Sequence, residues 1–560
     1  HSMENNLDKN IFSIGVENFK KGEFLKAKEY FEKALSIHPE NISILENLAL
    51  TNYNLKNLSD CELQLKKILA LDKNSKKIYN FLLKVLREQD NLKELKKYTK
   101  EGLEKNIVDK KFSIINNIVF PFINEDKGEI KNYRDQTNKY LDDFLNSDKN
   151  IELNIDKQSI DPPIFNYSYD EFDNLELNKK FVKLFKKIYP QLNIEIKLNE
   201  KNTDKIKIGF ISEYFSNHTI GKLFRGTIFE LNQNKFEIYI FHTNKTKKGK
   251  IFSDFLSKEI NYNLKNVILP NSFEEKVEMI KSKKLDLVFY PDIGMSSDLY
   301  FLTFIRFAKY QITSWGHPIS TGNPNIDFFI SSSKSETKNA QTHYSEKLIF
   351  LDHMLYYYKP ETSLTLNSDS MNNQNIYSCP QTLFKIHPDF DLVIKQILIK
   401  DKKAKIYFIK DNNKTLFRKL ITRFKKTIGS DMDRIIFNET MSVEKYLNHC
   451  GSSSVLLDPI IYGGGNSFYE SMIYGTPTVT LPTNYLKSRL TLGAYNQMEI
   501  EDAPIVNSPE QYVDKAVEIA NYEPKKLLET KARYKDAAFN KLFENKKYIN
   551  KLEEFLTSLF

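Results

Sequence analysis

The 560-residue chain has little of what marks several common classes of protein. Its three cysteines, Cys61, Cys379 and Cys450, lie far apart and show neither paired-thiol nor zinc spacing. That argues against a disulfide framework and against a structural zinc site. Eighteen glycines and eighteen prolines are too few for a collagen-like or low-complexity chain. No apolar run approaches the roughly 18 residues that a membrane-spanning helix needs. The opening His1-Ser2-Met3-Glu4-Asn5 contains no apolar signal core, and its first two residues read as a cloning remnant before Met3. The expected location is a reducing cytoplasm, with no membrane span.

What is present supports large cores: 41% of residues are hydrophobic and 13% aromatic. The net charge of +9 arises from 82 basic and 73 acidic residues that are interspersed. This suits a nucleotide pocket, and no basic stripe with interleaved aromatics points to nucleic acid.

Internal repetition comes first along the chain. Gly15, Gly22, Ala27, Phe31, Ala34, Leu35 and Pro39 have the offsets of a tetratricopeptide repeat. One period on stand Cys61, Leu65, Ile68, Leu69 and Lys73, and a further period on Leu95, Thr99, Gly102 and Leu103. About three repeats are expected over 9–107, the third degenerate, with a plain helical bundle as the alternative. Residues 108–203 read as a linker that wraps onto the next domain, with a helix over 176–189.

From Lys205 the texture changes. Apolar strands are predicted at 206–212, 236–241, 285–290 and 310–315, and a second series at 376–378, 405–409, 434–437, 454–457 and 478–481, with helical patterns between them. Such alternation means right-handed crossovers and parallel sheets. The fold expected is α/β: helical repeats, then two doubly wound lobes joined near 360–374. The expected segments are 9–107 (repeats), 108–203 (linker), 204–370 (first lobe), 371–545 (second lobe) and 546–560 (C-terminal helix). A ligand cleft is expected at the carboxyl ends of the strands.

Five segments carry candidate chemistry. In Leu457–Met472 a strand end meets Gly463-Gly464-Gly465 and then a helix that Asn466 or Ser467 can cap. Glycines admit close backbone approach, and a helix start suits a diphosphate; Glu470 lies one turn in, within reach of ligand hydroxyls. The alternative is an ordinary strand-to-helix turn. In Cys379–Pro388, Lys385 either neutralises phosphate or sits as a solvated surface lysine. In Ile211–Lys222, His218 is either an active-site or a structural histidine. Trp315-Gly316-His317-Pro318 stands in a turn-rich loop, with a core Trp closing the strand as the alternative. In Leu481–Arg489, basic residues flank the donor site or form a solvated helix face. Ser212, Glu213 and Asp292 are weaker cleft candidates.

In their order and spacing, Asn217-His218, Trp315-Gly316-His317-Pro318, Phe384-Lys385, Gly464-Gly465-Asn466-Ser467 and Gly475-Thr476-Pro477 resemble the glycosyltransferase family of the O-GlcNAc transferase. The adhesin N-glucosyltransferases belong to that family too. The likeness covers roughly 205–545. It implies a two-lobed GT-B fold and an inverting transfer from a nucleotide sugar, expected to be UDP-linked GlcNAc or Glc. No catalytic metal and no other cofactor are implied. By motif, Lys385, His218 and His317 take catalytic positions. Thr382, Phe384, Gly464, Gly465, Asn466, Ser467, Glu470 and Arg489 take donor-binding ones, Glu470 standing where the O-GlcNAc transferase has a ribose-binding Asp. Gly465-Asn466-Ser467 replaces that enzyme's His-Thr-Thr. The implied acceptor is a protein or peptide bound near the repeats and first lobe, with Ser/Thr O-linkage favoured. Alternatives are Asn-linked glucosylation, a glycan or small-molecule acceptor, and an inactive repeat scaffold.

Overall fold

A computed structural model of the chain describes residues 2–198, 200–201, 203–216, 218–243, 264–360 and 373–560. Asn217 of the His218 motif, and the join expected between the lobes at 370/371, lie outside the described residues. The chain forms two compact units, His1–Ile123 with Lys410–Arg423, and Asn124–Ile409 with Phe424–Phe560.

In the first unit, helices Ser2–Lys20, Phe24–Ile37, Ile42–Asn54, Leu58–Leu71, Lys76–Glu88 and Leu92–Glu104 form three successive hairpins. Small and apolar residues at the repeat positions close the helix crossings: Ala27, Phe31, Ala34, Cys61, Leu65, Ile68, Leu95 and Thr99 are all buried. Asn41, Ser75 and Asn91 cap the helices that follow them, each accepting from the backbone N–H three residues on. The backbone records the repeat as well. The turn inside each hairpin takes a left-handed residue at Gly22, Lys56 and Asp90, spaced 34 residues apart. At the last of these turns the Asp90 carboxylate accepts from the N–H groups of Phe122 and Ile123 and from Lys419 Nζ.

The second unit opens with the linker, which is more ordered than its sequence suggests. Helices Lys127–Leu145 and Leu175–Ile188 pack together, the latter within one residue of the expected span. A parallel seven-stranded sheet follows: β1 Ile206–Ile211, β2 Phe236–His242, β3 Lys265–Ile268, β4 Leu287–Tyr290, β5 Tyr310–Ser314, β6 Phe328–Ser332 and β7 Lys347–Leu351, in the order β3-β2-β1-β4-β5-β6-β7. Of these β3, β6 and β7 are not among the strands expected from sequence. The second sheet holds β8 Ile376–Ser378, β9 Lys405–Ile409, β10 Ile435–Asn438, β11 Val455–Leu457 and β12 Thr478–Val479, ordered β10-β9-β8-β11-β12 and all parallel.

Central strands such as β1 and β4 are buried almost throughout, which explains why they are apolar save for Lys207 near the start of β1. One apolar core continues from the first sheet through Trp315 to Phe468, Tyr469 and Leu490 of the second lobe. The C-terminal helix Lys546–Ser558 returns to the first lobe. There Glu553 accepts from the Asn232 N–H at 2.6 Å and Phe555 packs edge-on against Phe328. The fold is therefore N-terminal helical repeats followed by a two-lobed GT-B arrangement.

Candidate active site

In each sheet the strand order reverses at one place, β1/β4 in the first and β8/β11 in the second. Loops leaving the carboxyl ends of such a pair splay apart and leave a crevice. Four of the five candidate segments leave one of these four strands or their neighbour β5: Ser212–His218 after β1, Trp315–His317 after β5, Cys379–Lys385 after β8 and Asp458–Gly465 after β11. The fifth follows β12.

The second-lobe half is built around Asp458. It is 3% exposed; Oδ1 accepts from the Gly464 N–H at 2.8 Å and Oδ2 from Thr480 Oγ1 at 2.7 Å. Burial pushes its carboxyl up to about 6, against those two donors. The glycine loop is thereby folded back on the strand end. A Cβ on Gly464 would lie 2.4 Å from Ser467 Oγ and 2.6 Å from Gln381 Nε2, so a larger residue would have to displace both side chains. Gln381 joins the two segments: its Nε2 donates to Ser467 Oγ, and its Oε1 accepts from Lys385 Nζ at 2.9 Å. The ammonium also lies 5.4 Å from the Tyr462 ring centroid. Burial lowers Lys385 to about 8, with Asp458 pulling the other way. A lysine whose charge is this costly gains most from an incoming anion. Thr382, exposed, opens the one-turn segment Leu383–Lys385.

Two expectations are corrected here. Neither Asn466 nor Ser467 caps the helix Asn466–Ser471; Gly465 occupies the N-cap position, because Ser467 is engaged by Gln381 and Asn466 by other partners. Lys487 is not on a solvated helix face. It is 2% exposed, and its Nζ donates to the carbonyls of Ser168, Asp170 and Phe172 at 2.9, 2.6 and 3.0 Å and to Asn174 Oδ1 at 3.1 Å. Its own carbonyl accepts from the Gly463 N–H at 2.9 Å. One buried lysine thus ties the glycine loop to linker residues 168–174. That segment brings Tyr169 to 4.5 Å from Tyr462 and 4.8 Å from Phe384, ring centroid to centroid. His387 holds the same loop through Glu171 Oε2 at 2.7 Å.

The first-lobe half contributes His218, which caps the helix Thr219–Glu230. Its Nδ1 accepts from the Ile220 N–H at 3.2 Å, which leaves the ring proton on Nε2. Burial and the neighbouring Lys222 hold it below the ordinary histidine range, so the ring is a neutral donor, stacked 4.2 Å from Tyr214. Lys222 Nζ crosses to Glu470 Oε2 of the second lobe at 3.1 Å. Asn466 donates to the other carboxylate oxygen of Glu470 and accepts from Tyr357 Oη at 2.7 Å. At the β1/β4 reversal Ser212 Oγ donates to Asp292 Oδ1 at 2.7 Å, and burial raises Asp292 to about 7. Glu213 accepts from Ser296.

His317 is brought into the packing rather than onto an open wall. It is 2% exposed, burial depresses it to about 3, and its Nε2–H faces Ser168 Oγ at 3.3 Å. Trp315 is buried, the core alternative of the sequence reading. Arg489 is half-buried and donates to the carbonyls of Ser335 at 2.6 Å and Thr483 at 2.9 Å. Among the described residues no group of three or more His, Cys, Asp and Glu side chains is placed to hold a metal ion, and no helix is long and apolar enough to cross a membrane.

The sequence profile of glycosyl transferase family 41 matches residues 173–362 and 361–552. The chain belongs to glycosyl transferase family 41. Relatives within reach are distant. A probable UDP-N-acetylglucosamine–peptide N-acetylglucosaminyltransferase, SEC, of Arabidopsis thaliana is 22% identical over 368 residues, covering 62% of this chain and 36% of the relative. A UDP-glucose:protein N-beta-glucosyltransferase of Actinobacillus pleuropneumoniae serotype 5b (strain L20) is 20% identical over 372 residues, covering 64% and 58%. The match therefore spans about a third to somewhat over half of these relatives' own length. Among solved structures, a Thermobaculum terrenum O-GlcNAc transferase mutant superposes with a TM-score of 0.68 at 16% identity, covering 98% of this chain and 96% of that one. That similarity establishes the fold.

Within this family-41 chain, the structure brings Lys385 and the glycine loop together around Gln381, and sequence reasoning did not single out Asp458, Gln381 or Lys222. Asp458 carried a signal: a lone carboxylate closing an apolar strand just before glycines. Gln381 and Lys222 stood inside quoted segments but have no distinguishing pattern of their own.

Proposed function

We propose that this chain is an inverting protein glycosyltransferase that works without a metal ion and moves a sugar from a UDP-sugar to a polypeptide side chain. The carrying observation is the Lys385–Gln381–Ser467 chain beside the glycine loop, folded back by Asp458 at the second-lobe strand reversal. It supplies a cation and a close backbone where a diphosphate would leave. In a single displacement an acceptor hydroxyl forms a bond to the anomeric carbon while the bond to the phosphate oxygen breaks. The electron pair goes to the diphosphate, where Lys385 stabilises it, and the acceptor hydroxyl's proton passes to the departing diphosphate oxygen or to water. His218, its proton fixed on Nε2 by the helix cap, orients the acceptor oxygen as a donor. His317 shapes the wall behind it. Both relatives named above use UDP-sugars and protein acceptors, which supports GlcNAc or glucose as the sugar. The buried free thiols of Cys61, Cys379 and Cys450 fit a reducing cytoplasm.

Ser/Thr linkage is the favoured reading. Asn linkage is the second, supported by the N-glucosyltransferase relative. Incubating the chain with radiolabelled UDP-GlcNAc or UDP-glucose, candidate acceptor polypeptides and EDTA decides between them. Label on polypeptide that alkaline β-elimination releases supports O-linkage; label that survives supports Asn. Absence of labelled polypeptide with either donor would refute the proposal.

A further inference from the structure

A carboxylate is an awkward neighbour for a diphosphate, yet Glu470 stands one turn beyond the glycine loop. Both of its oxygens are occupied. Oε1 accepts from Asn466, and Oε2 accepts from Lys222 Nζ at 3.1 Å. The lysine comes from the first lobe, one turn into the helix that His218 caps, and the glutamate from the second. Their side chains are only 16% and 13% exposed, so solvent screens the pair little. The charge of Lys222 is also felt at His218, which it helps to keep neutral.

We propose that Lys222 is a residue of the nucleotide site: a cation delivered by the first lobe whose charge offsets Glu470 and makes a carboxylate compatible with a diphosphate beside it. The inference rests on the nucleotide-sugar reading above. Without Lys222, a largely buried carboxylate would repel the phosphates with little solvent screening. With it, the remaining lone pairs of Glu470 can accept from ribose hydroxyls while the local charge stays favourable. Lys385 on one side and Lys222 on the other then share the neutralisation, one from each lobe. Binding of the anion and approach of the lobes become coupled through this pair. A plain inter-lobe strut would make a different prediction, because a strut does not distinguish a charged ligand from a neutral one.

The test is calorimetric titration of the full chain with UDP and, by displacement, with uridine, which lacks the phosphates. Lys222→Met is expected to weaken UDP about tenfold or more while moving uridine less than about threefold. Lys222→Arg, which keeps the charge, is expected to hold UDP within about threefold of the unmodified chain. Glu470→Gln serves as a second, independent probe: it should weaken uridine more than UDP, since it removes a ribose contact together with a repulsive charge. In that background Lys222→Met should cost UDP less than it does alone. Unchanged UDP affinity in Lys222→Met overturns the inference, as does a parallel loss of UDP and uridine. Should Lys222→Met lose its fold, a Glu470→Gln chain that weakens UDP at least as much as uridine overturns it instead. An unmodified chain that binds no UDP overturns the nucleotide reading itself, and this inference with it.

Discussion

Lys385 is the residue whose chemistry is most constrained. Burial lowers it to about 8, so the free protein loses this cation as pH rises through that value. A bound dianion stabilises the ammonium and moves the titration upward. We therefore expect kcat/KM for sugar transfer to fall above about pH 8 with unit slope, and kcat to hold to higher pH. Lys385→Arg should remove the limb from whatever activity it retains. Lys385→Ala should lower kcat/KM by about 100-fold or more, the scale of a lost electrostatic stabiliser. A pH–rate series on the three proteins checks this. In sequence Lys385 stood open between a phosphate-binding and a solvated lysine, and only the resemblance of its motif favoured the first. Its setting was not legible. Tyr169, which packs on Tyr462 and Phe384, lies more than 200 residues away in a linker without recognisable pattern.

Among the elements, the repeats and the 168–174 loop make opposite cases. The repeats were legible because each hairpin depends on neighbours at a fixed offset. Their turn residues give a direct test. Gly22 has φ +77° with open space around it, so Gly22→Ala meets only the backbone cost of a left-handed Cβ, about 1 kcal/mol. Lys56 bears that cost already at φ 64°, and Lys56→Gly should return a similar amount. Thermal unfolding of the two variants should shift in opposite directions. The loop was not legible, because Lys487 recognises three backbone carbonyls more than 300 residues distant, and carbonyls leave no trace in sequence. Lys487→Met strands these acceptors and Asn174 Oδ1. The expected loss is about 3 kcal/mol, with faster amide exchange across 168–174; unchanged exchange there would count against the clamp. Strand β3 was missed for a related reason: as a sheet edge it carries exposed Lys265 and Asn266 in place of an apolar run. The apolar central strands β1 and β4 could be read directly.

For the whole molecule, the doubly wound order of both sheets follows from alternating strands and helices, and the site follows from where that order reverses. The return of the C-terminal helix to the first lobe could not be read, since only a buried tertiary face distinguishes it from any amphipathic tail. Burial inside the lobed unit also sets a pH dependence of stability. The folded chain keeps the proton of Asp292 up to about pH 7, whereas an unfolded aspartate releases it near its ordinary 3.8. Over that window the folded state binds the extra proton, so this residue's contribution is lost as pH rises through 7. Asp292→Asn should therefore stabilise the protein by about 2 kcal/mol at pH 8 and by little at pH 5, which scanning calorimetry at the two pH values can read.

Under the proposed function, the crevice around Lys385 and the glycine loop binds the diphosphate of a nucleotide sugar without a metal ion. Calorimetric titration of UDP into the full chain in EDTA, beside Lys385→Ala, tests it most directly. Saturable one-site binding that persists in the chelator and weakens about 30-fold or more in the variant is expected. Binding that vanishes with EDTA, or that is equally strong without the Lys385 ammonium, would contradict it.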